Sequence, residues 1–336
     1  MSQRLKLIIG IAVSVVCVWV SMHDVKLSEV WNALRHANYL GFAAVMALTL
    51  LGFWIRAVRW RSLIAAPRPI STDSLFSATM IGFMANNVLP FRLGEFVRPW
   101  ALARREKLSK TTLLATVVVE RAVDMLTLLG ILGISLLVHP ASVSARTEAG
   151  RMTRAGAGVL VFMCVGLTAF VIALEWSPRL AHGVVHWLTR PLPETVRRRV
   201  SAMLTHFFEG LGLFRDLPRL AWVFALSFLM FGVFALGLSV CMWALSLSVP
   251  WYAGLIMLVI TAIGIMVPAA PGYIGTLNLA CIAGLALFGV SKDLAAPFSW
   301  FYWASQWLPV TGVGLFYLQR EGLSLRSLGQ AQEAAA

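Results

Sequence analysis

The chain has 336 residues, of which 59% are hydrophobic and only 13% are charged. A soluble domain carries about twice that share of charged residues, so the composition excludes a soluble globular protein and predicts a polytopic membrane protein. The net charge is +13. Its basic residues lie in loops between apolar runs, which is typical of cytoplasmic loops and not of a nucleic-acid-binding domain. We therefore expect an all-α membrane protein with no nucleic-acid partner.

The chain begins with two apolar runs. The first covers residues 5–20 and is not followed by a small-residue cleavage site, so it predicts a retained first helix. Residues 21–38 place apolar side chains at helical spacing and predict a short interfacial helix. The second run covers residues 39–55, and the arginine cluster after it predicts a cytoplasmic end. That cluster consists of Arg56, Arg59, Arg61 and Arg68.

The third apolar run is broken. It begins near Ser74 and stops at Leu89, which is about 16 residues and too few for a full crossing. Proline, glycine and charged residues then interrupt any helix. Because basic patches flank residues 74–103 on both sides, the segment is predicted to enter and leave on the cytoplasmic side as a re-entrant hairpin. Its returning half-helix should begin near Leu93 or Gly94.

A long apolar helix is predicted at residues 111–138. Three ionisable residues lie in its interior: Glu120, Arg121 and Asp124. At membrane depth each costs roughly 2.5–3.5 kcal/mol, so all three are functional candidates. Residues 139–154 are predicted to form an outside loop, and residues 156–174 are predicted to cross back.

Residues 175–219 carry seven arginines and one continuous apolar stripe at helical spacing. They predict an amphipathic helix on the cytoplasmic leaflet, with packing on neighbouring protein as the alternative. A crossing at residues 220–247 follows. Residues 251–290 form a second broken run, interrupted by Pro268, Pro271, Gly272 and Gly275. Its returning half-helix should begin near Gly275.

The end of the chain completes the second half. Lys292 and Asp293 are predicted to form a short loop, residues 297–318 the last crossing, and residues 329–336 a disordered tail. Arg320 and Arg326 predict a cytoplasmic C-terminus.

The two halves of the chain, residues 1–155 and 156–328, match in plan. Each has a helix, a second helix, a broken hairpin and a final helix, and Pro90 and Gly94 have the same spacing as Pro268 and Gly272. The loop charges place the two hairpins on opposite sides. This predicts an inverted-repeat helical bundle with about six full crossings, two re-entrant hairpins and both termini in the cytoplasm. Chance similarity between two apolar sequences is the alternative.

The broken hairpins are predicted to form the functional site. The N-terminus of each returning half-helix offers free N–H groups and a positive dipole end, and Arg92 and Arg98 add full charges that suit a phosphate. Glu120 and Asp124 share a helical face and could pair with Arg92, Arg98 and Arg121, or take up a proton. A purely architectural ion-pair network is the alternative. The candidate substrate-binding residues are Asn87, Arg92, Glu95, Arg98, Glu120, Arg121 and Asp124.

Four stretches resemble one family: NNVLPFRLGEFVRPWAL (86–102), the ER..D pattern at 120–124, VPAAPGYIGT (267–276) and GVSKDLAA (289–296). They resemble the flippase-like transmembrane domain of lysylphosphatidylglycerol synthases and of stand-alone bacterial and archaeal membrane proteins. The resemblance implies translocation of a lipid without its synthesis. Tyr273 and Asn278 depart from the family pattern, which leaves an acidic role for the second hairpin in doubt. The resemblance carries over to the candidate residues above and to Pro90, Gly94, Pro268, Pro271, Gly272 and Gly275.

Together these observations predict a transporter in the bacterial inner membrane that moves an anionic phospholipid or a polyprenyl-phosphate lipid between leaflets. The alternative is a non-transporting accessory scaffold that binds lipid for a partner enzyme of envelope-lipid or glycan synthesis. A membrane-embedded lipid-modifying enzyme is a third possibility, but no nucleophile–base pair supports it. No catalytic residue, metal site or cofactor is expected, and the lipid and the oligomeric state stay open.

Overall fold

The computed structural model describes residues 3–23, 25, 27–64, 68–89, 94–138, 183, 194, 216–266, 271–325 and 328. Within these residues all regular structure is helical, as predicted. Several predicted segments lie outside the described residues, wholly or almost wholly. They are the loop at 139–154, the helix at 156–174, the amphipathic segment at 175–219 and the tail at 329–336.

Ten α-helices are described, and each is numbered here in chain order. The first six are α1 (Gln3–Met22), α2 (Leu27–Arg35), α3 (Tyr39–Leu63), α4 (Thr72–Val88), α5 (Gly94–Glu106) and α6 (Lys110–Val138). The remaining four are α7 (Leu217–Ala244), α8 (Ala253–Met266), α9 (Thr276–Ala286) and α10 (Lys292–Arg320). A short 3₁₀ turn, Pro271–Tyr273, lies between α8 and α9.

Both broken hairpins form as helix–break–helix units. In the first, α4 and α5 have 17 and 13 residues, and in the second, α8 and α9 have 14 and 11. Each arm is therefore shorter than the about 20 residues of a spanning helix. The predicted starts of the two returning arms are confirmed, since α5 begins at Gly94 and α9 begins directly after Gly275.

Two predicted boundaries were wrong. Helix α3 does not end at residue 55 but continues to Leu63, through Arg56 and Arg59. Both arginines are buried inside the helix, so they do not follow its end. Lys292 and Asp293 do not form a loop but the first turn of α10, where the positive helix end favours the Asp293 carboxylate.

The chain divides into two compact units. The first unit contains residues 1–57, 73–102 and 230–336, and the second contains residues 58–72 and 103–229. Both hairpins belong to the first unit. These units do not test the predicted division into two sequence repeats, residues 1–155 and 156–328, which stays a prediction.

The first unit is built around α10. This helix packs against α2 and α9, and α9 packs in turn against α1 and α8. A buried cluster of Phe53, Met80 and Val310 joins α3, α4 and α10. Gly314 allows the close approach of α10 to α4, because a Cβ at that position would overlap the side chain of Met84.

Two described helices, Tyr39–Leu63 and Leu217–Ala244, are both long and apolar enough to cross a membrane. Helices α6 and α10 have the length, at 29 residues each. However, charges interrupt α6, and α10 contains Pro297 and Pro309.

Candidate functional site

The two arms of the first hairpin touch at a glycine. A Cβ built on Gly82 of α4 would lie 2.6 Å from the Cβ of Arg98 and 3.0 Å from the carbonyl oxygen of Gly94, both on α5. Real Cβ atoms do not approach other atoms so closely, so only glycine allows the two arms to lie at this distance. This contact fixes the position of the Arg98 backbone along α4.

The second hairpin repeats the contact. A Cβ built on Gly264 of α8 would overlap the Cβ of Ala280 and lie 3.2 Å from the carbonyl oxygen of Thr276, both on α9. In each hairpin the glycine meets a carbonyl oxygen and a Cβ at the same two sequence separations. The two hairpins therefore pack in the same way. This contact aligns Gly82 with Gly264, which is a different register from the sequence alignment of Pro90 with Pro268.

At the start of each returning arm lies a glycine whose N–H group donates to the side chain of a buried asparagine. The Gly94 N–H donates to the Asn86 side-chain oxygen at 2.8 Å, and the Gly275 N–H donates to the Asn278 side-chain oxygen at 3.0 Å. The Asn278 amide also donates to the Ser299 hydroxyl at 3.0 Å. Because a helix start has unpaired N–H groups, these asparagines stabilise the breaks that the sequence placed there.

The described residues next to the two breaks, Asn87 and Gly272, which we call the hairpin tips, lie against each other and against α10. A Cβ on Gly272 would lie 3.4 Å from the Asn87 carbonyl oxygen and 3.1 Å from the indole of Trp307. The Trp303 indole N–H donates to the Gly272 carbonyl oxygen at 2.8 Å, and the Asn87 amide donates to the Thr311 hydroxyl at 3.1 Å. Helix α10 thus holds both tips with hydrogen bonds. Gly272 has a φ of 73°, which favours glycine at this position.

Two arginines of the first unit are buried next to α4. Arg98 is 1% exposed and Arg56 is 5% exposed. The Arg56 guanidinium carbon lies 5.3 Å from the centre of the Phe83 ring, at a distance that suits a cation–π interaction. Glu95, in the first turn of α5, is half-buried. Three further residues of the predicted site, Pro90, Arg92 and Pro268, lie outside the described residues.

The second unit contains a buried ion cluster, formed by Arg59, Glu120, Arg121 and Asp124. The Arg59 guanidinium lies 3.2 Å from a Glu120 carboxylate oxygen and 2.6 Å from an Asp124 carboxylate oxygen. It also donates to the Ser227 hydroxyl at 2.7 Å. Arg121, whose side chain is 41% exposed, lies 3.3 Å from the other Asp124 oxygen. The cluster connects α3, α6 and α7 through one guanidinium.

A second polar contact joins α3 to α6 next to this cluster. The Trp60 indole N–H donates to the Thr116 hydroxyl at 2.9 Å, and both residues are buried. The side chains of Arg59 and Glu120 are 0% exposed and that of Asp124 is 8% exposed. With Arg121 included, the cluster carries two negative and two positive charges. Because a buried charge requires a partner of opposite sign, this balance stabilises the cluster inside the protein.

The structure brings together only part of the predicted site in each unit. The predicted pairing of Asp124 with Arg121 is confirmed. Asn87, Glu95 and Arg98 belong to the first unit, and Glu120, Arg121 and Asp124 belong to the second.

Arg59 was not predicted as a site residue, because it lies in a run of arginines that looks like a helix end. The apolar neighbours Val58 and Trp60 are the signal that could have placed it inside the helix.

Most of the chain is similar to a known family of membrane proteins. A model of the lysylphosphatidylglycerol synthase TM region matches residues 7–314. A glycosyltransferase, AglD, from Haloferax volcanii is 25% identical over 140 residues, which is 40% of this chain and 22% of that protein. The chain therefore spans only about a fifth of the length of this relative. No solved structure matches the chain.

Proposed function

Because the chain belongs to the lysylphosphatidylglycerol synthase TM-region family, we propose that it is a lipid transporter of the bacterial inner membrane. It moves an anionic or phosphate-bearing lipid between leaflets. The observation that carries this proposal is the meeting of two broken-helix tips, where Gly272 lies against the Asn87 carbonyl. Broken helices that meet inside a membrane protein are typical of the substrate sites of secondary transporters.

The membrane layout belongs to the same proposal. The chain makes about six full crossings, and the segments 74–103 and 251–290 enter and return as re-entrant hairpins. Both termini lie in the cytoplasm, and the two repeats are inverted. The short hairpin arms support this layout. So does the equivalent contact between the two arms of each hairpin, which Gly82 makes in the first and Gly264 in the second. A polar break at membrane depth is tolerated only where protein or water surrounds it, and the asparagine caps supply protein partners.

The head group of the lipid would bind at the two tips while its tails stay in the bilayer. Transfer of an anionic head group to this site costs little free energy, because Arg98 and the amide dipoles stabilise its charge. Acyl chains gain no free energy when they leave the bilayer for a polar site. Arg98 would attract the phosphate, since a guanidinium matches phosphate oxygens bidentately. Asn87 of α4 and Thr311 of α10, which are hydrogen-bonded to each other, are neutral polar groups at the first tip.

The ion cluster of the second unit would control the transport cycle. Arg59 holds two carboxylates of α6, and removal or addition of one proton changes the net charge that the cluster buries. Such a change alters how tightly α3, α6 and α7 are joined. We assign Glu120 and Asp124 to this role, with Arg121 as the partly exposed partner of Asp124.

An accessory scaffold is the second function that an observation favours. The relative AglD is described as a glycosyltransferase, and the match covers a small part of its length. A membrane domain of this kind could therefore hold a lipid for a partner enzyme. We propose no catalytic activity for the chain itself. Transport requires two access states, whereas a scaffold requires one, so a transport assay separates the two functions.

The test uses purified protein in proteoliposomes that carry a fluorescent phosphate-bearing lipid in both leaflets. An impermeant reductant bleaches the outer leaflet, and transport exposes the protected lipid. Wild-type protein should raise the bleached fraction faster than Glu120→Gln protein. Glu106→Gln is the matched control, because Glu106 pairs at 3.3 Å with Arg68, whose side chain is 64% exposed, and such pairs contribute about 0–1 kcal/mol.

Each outcome of this assay decides between the functions. Equal rates for wild type, Glu120→Gln and empty liposomes, with and without a proton gradient, would favour the scaffold. Faster release of entrapped inorganic phosphate, without lipid movement, would show a small-anion pathway and contradict the lipid proposal.

A further inference from the structure

We propose that one end of the first unit binds the head-group region of a phospholipid bilayer, and that this contact places the two hairpin tips near the bilayer midplane. The binding surface, which we call the aromatic rim, consists of Trp31, Arg35, Tyr39, Trp243 and Trp251, all of which are exposed. The inference goes beyond the proposed transport function, because it holds whether or not the protein moves a lipid.

The first argument is the chemistry of the exposed rings. Trp31 is 67% exposed and Trp251 is 75% exposed, and Tyr39 and Trp243 are also large exposed side chains. Each of these rings has an apolar body and a polar N–H or O–H group. Tryptophan and tyrosine are enriched where a membrane meets water, because the two parts of the ring then lie in the two media that they prefer.

The second argument is that the rim lies where two spanning helices end. Helix α3 begins at Tyr39 and helix α7 ends at Ala244, and these are the two described helices that are both long and apolar enough to cross a membrane. The Asn38 N–H donates to the Ala244 carbonyl oxygen at 2.9 Å, and a Cβ on Gly41 would lie 3.6 Å from the Trp243 ring. Both helices therefore end at the same level, which favours the bilayer interface as the occupant of this surface.

The third argument is the charge on α2. This helix packs against α10, and its residues Val30 and Leu34 are half-buried. Trp31 and Arg35 are exposed and four residues apart, so they share one face of the helix. A guanidinium binds phosphate oxygens bidentately, and every phospholipid has a phosphate near the level at which interfacial tryptophans lie. The exposed face of α2 thus complements a phospholipid surface in both polarity and charge.

The rim also sets the depth of the hairpin tips. The Tyr39 ring centre lies 6.3 Å from that of Phe301, so Phe301 marks the level of the rim on α10. Trp307, which contacts the second tip, and Thr311, which bonds to the first tip, lie six and ten residues further along this helix. At about 1.5 Å per residue these positions are about 9 and about 15 Å deeper than the rim. Half of a hydrocarbon core is about 15 Å, so the tips lie close to the midplane.

The first test measures depth with a fluorophore and spin-labelled lipids. In a cysteine-free background of the full chain, Trp31→Cys carries the fluorophore, and the protein is reconstituted in phosphatidylcholine vesicles. A nitroxide near the head group should quench this label more strongly than a nitroxide in the middle of the acyl chain.

Leu308 provides the matched site, because it is 47% exposed and adjacent to Trp307. The label on Leu308→Cys should show the opposite order of quenching. Trp251→Cys is a second reporter on the rim, in case Trp31→Cys protein does not fold.

The second test addresses the phosphate contact of Arg35. The label at position 31 is quenched either by nitroxide-bearing phosphatidylglycerol or by a neutral glycolipid with the nitroxide at the same chain position. One arginine near an anionic surface contributes about 1 kcal/mol, so phosphatidylglycerol should be enriched about fivefold beside the label. Arg35→Gln should remove this preference. Arg61→Gln is the matched control, because Arg61 is exposed near the other end of α3 and should leave the preference unchanged.

Three results would overturn the inference. Quenching of the label at position 31 by aqueous iodide and by neither nitroxide would place the rim in water and leave a partner protein as its occupant. The same order of quenching at positions 31 and 308 would refute the assigned depth of the tips. An unchanged lipid preference of Arg35→Gln protein would refute the phosphate contact. None of these measurements depends on lipid movement, so the proposed transport function stands or fails separately.

Discussion

Removal of the Arg59 charge is the most informative perturbation of this protein. The Arg59→Met substitution keeps a long apolar side chain and deletes the guanidinium that binds Glu120 and Asp124. Two carboxylates would then remain in a buried site, with Arg121 as a partly exposed neighbour of one of them. The Ser227 hydroxyl would lose its donor as well.

The expected cost follows from the geometry. At about 4 Å and an effective dielectric constant of about 20, one pair of unit charges interacts by about 4 kcal/mol. Arg59 has two such partners, at 3.2 and 2.6 Å. The desolvation of the ions offsets much of this gain, and measured losses for one partner of a buried pair are about 3–5 kcal/mol. We expect a loss in that range, which lowers Tm by on the order of 10 °C.

The assay can use the protein's own cysteines. Cys241 and Cys281 are free and buried, whereas Cys17 is partly exposed; with Cys17 and Cys164 replaced by serine, a thiol-reactive dye reports the exposure of the two buried thiols when the protein unfolds in detergent. The melting curve of Arg59→Met protein should shift to lower temperature. An unchanged Tm would contradict the ion cluster as a stabilising contact.

A neutral version of the cluster separates architecture from function. The triple variant Arg59→Met, Glu120→Met and Asp124→Leu removes all three buried charges together. Because replacement of a buried ion group by well-packed apolar residues of similar volume is often neutral or stabilising, Tm should recover to within a few degrees of wild type. Transport should stay lost if the charges control the cycle. A triple variant that regains both Tm and transport would show that the cluster is only architectural.

Two further predictions test the hairpins and the layout. Gly82→Ala should lower stability by about 1–3 kcal/mol because its Cβ has no room against α5, whereas Gly232→Ala, with no atom within 4 Å of its Cβ, should be neutral or stabilising by up to about 1 kcal/mol. In a cysteine-free background, an impermeant thiol reagent on spheroplasts should label an exposed cysteine at Ser291 and spare one at Ser109. Labelling at Ser109 from outside would refute the inverted layout.

Sequence patterns were sufficient to locate the breaks, since proline and glycine act locally. The start of α5 at Gly94 follows from the polar break in an apolar run, and the start of α9 after Gly275 follows likewise. The length of α3 could not be obtained in this way. Arginine has a good helix propensity, so a row of arginines is compatible with both a helix end and a helix interior. Only the buried partners of Arg59 decide between them.

The partners of the charged residues in the site could not be predicted from the sequence, for a similar reason. Glu120, Arg121 and Asp124 were identifiable because charges in an apolar helix are costly. Their main partner comes from a helix far away in the chain, and spacing carries no information about such a contact. The contact of Gly82 with Arg98 is likewise visible only once α4 and α5 are packed.

The shared packing of the two hairpins leads to one last prediction, about Arg98. The place of the Arg98 Cβ against Gly82 is taken in the second hairpin by the Cβ of Ala280 against Gly264. An alanine therefore allows the same packing, and the charge of Arg98 is not needed to join the arms.

We accordingly expect Arg98→Ala to keep the hairpin and to lower Tm less than Arg59→Met does. Its phosphatidylglycerol transport should fall at least about tenfold, because the phosphate loses a buried guanidinium. Arg98→Lys keeps the charge but loses the bidentate fork and should fall between the two. A Tm loss as large as that of Arg59→Met would make Arg98 a structural residue. Wild-type transport by Arg98→Ala would remove it from head-group recognition and leave the contact with Gly82 as its role.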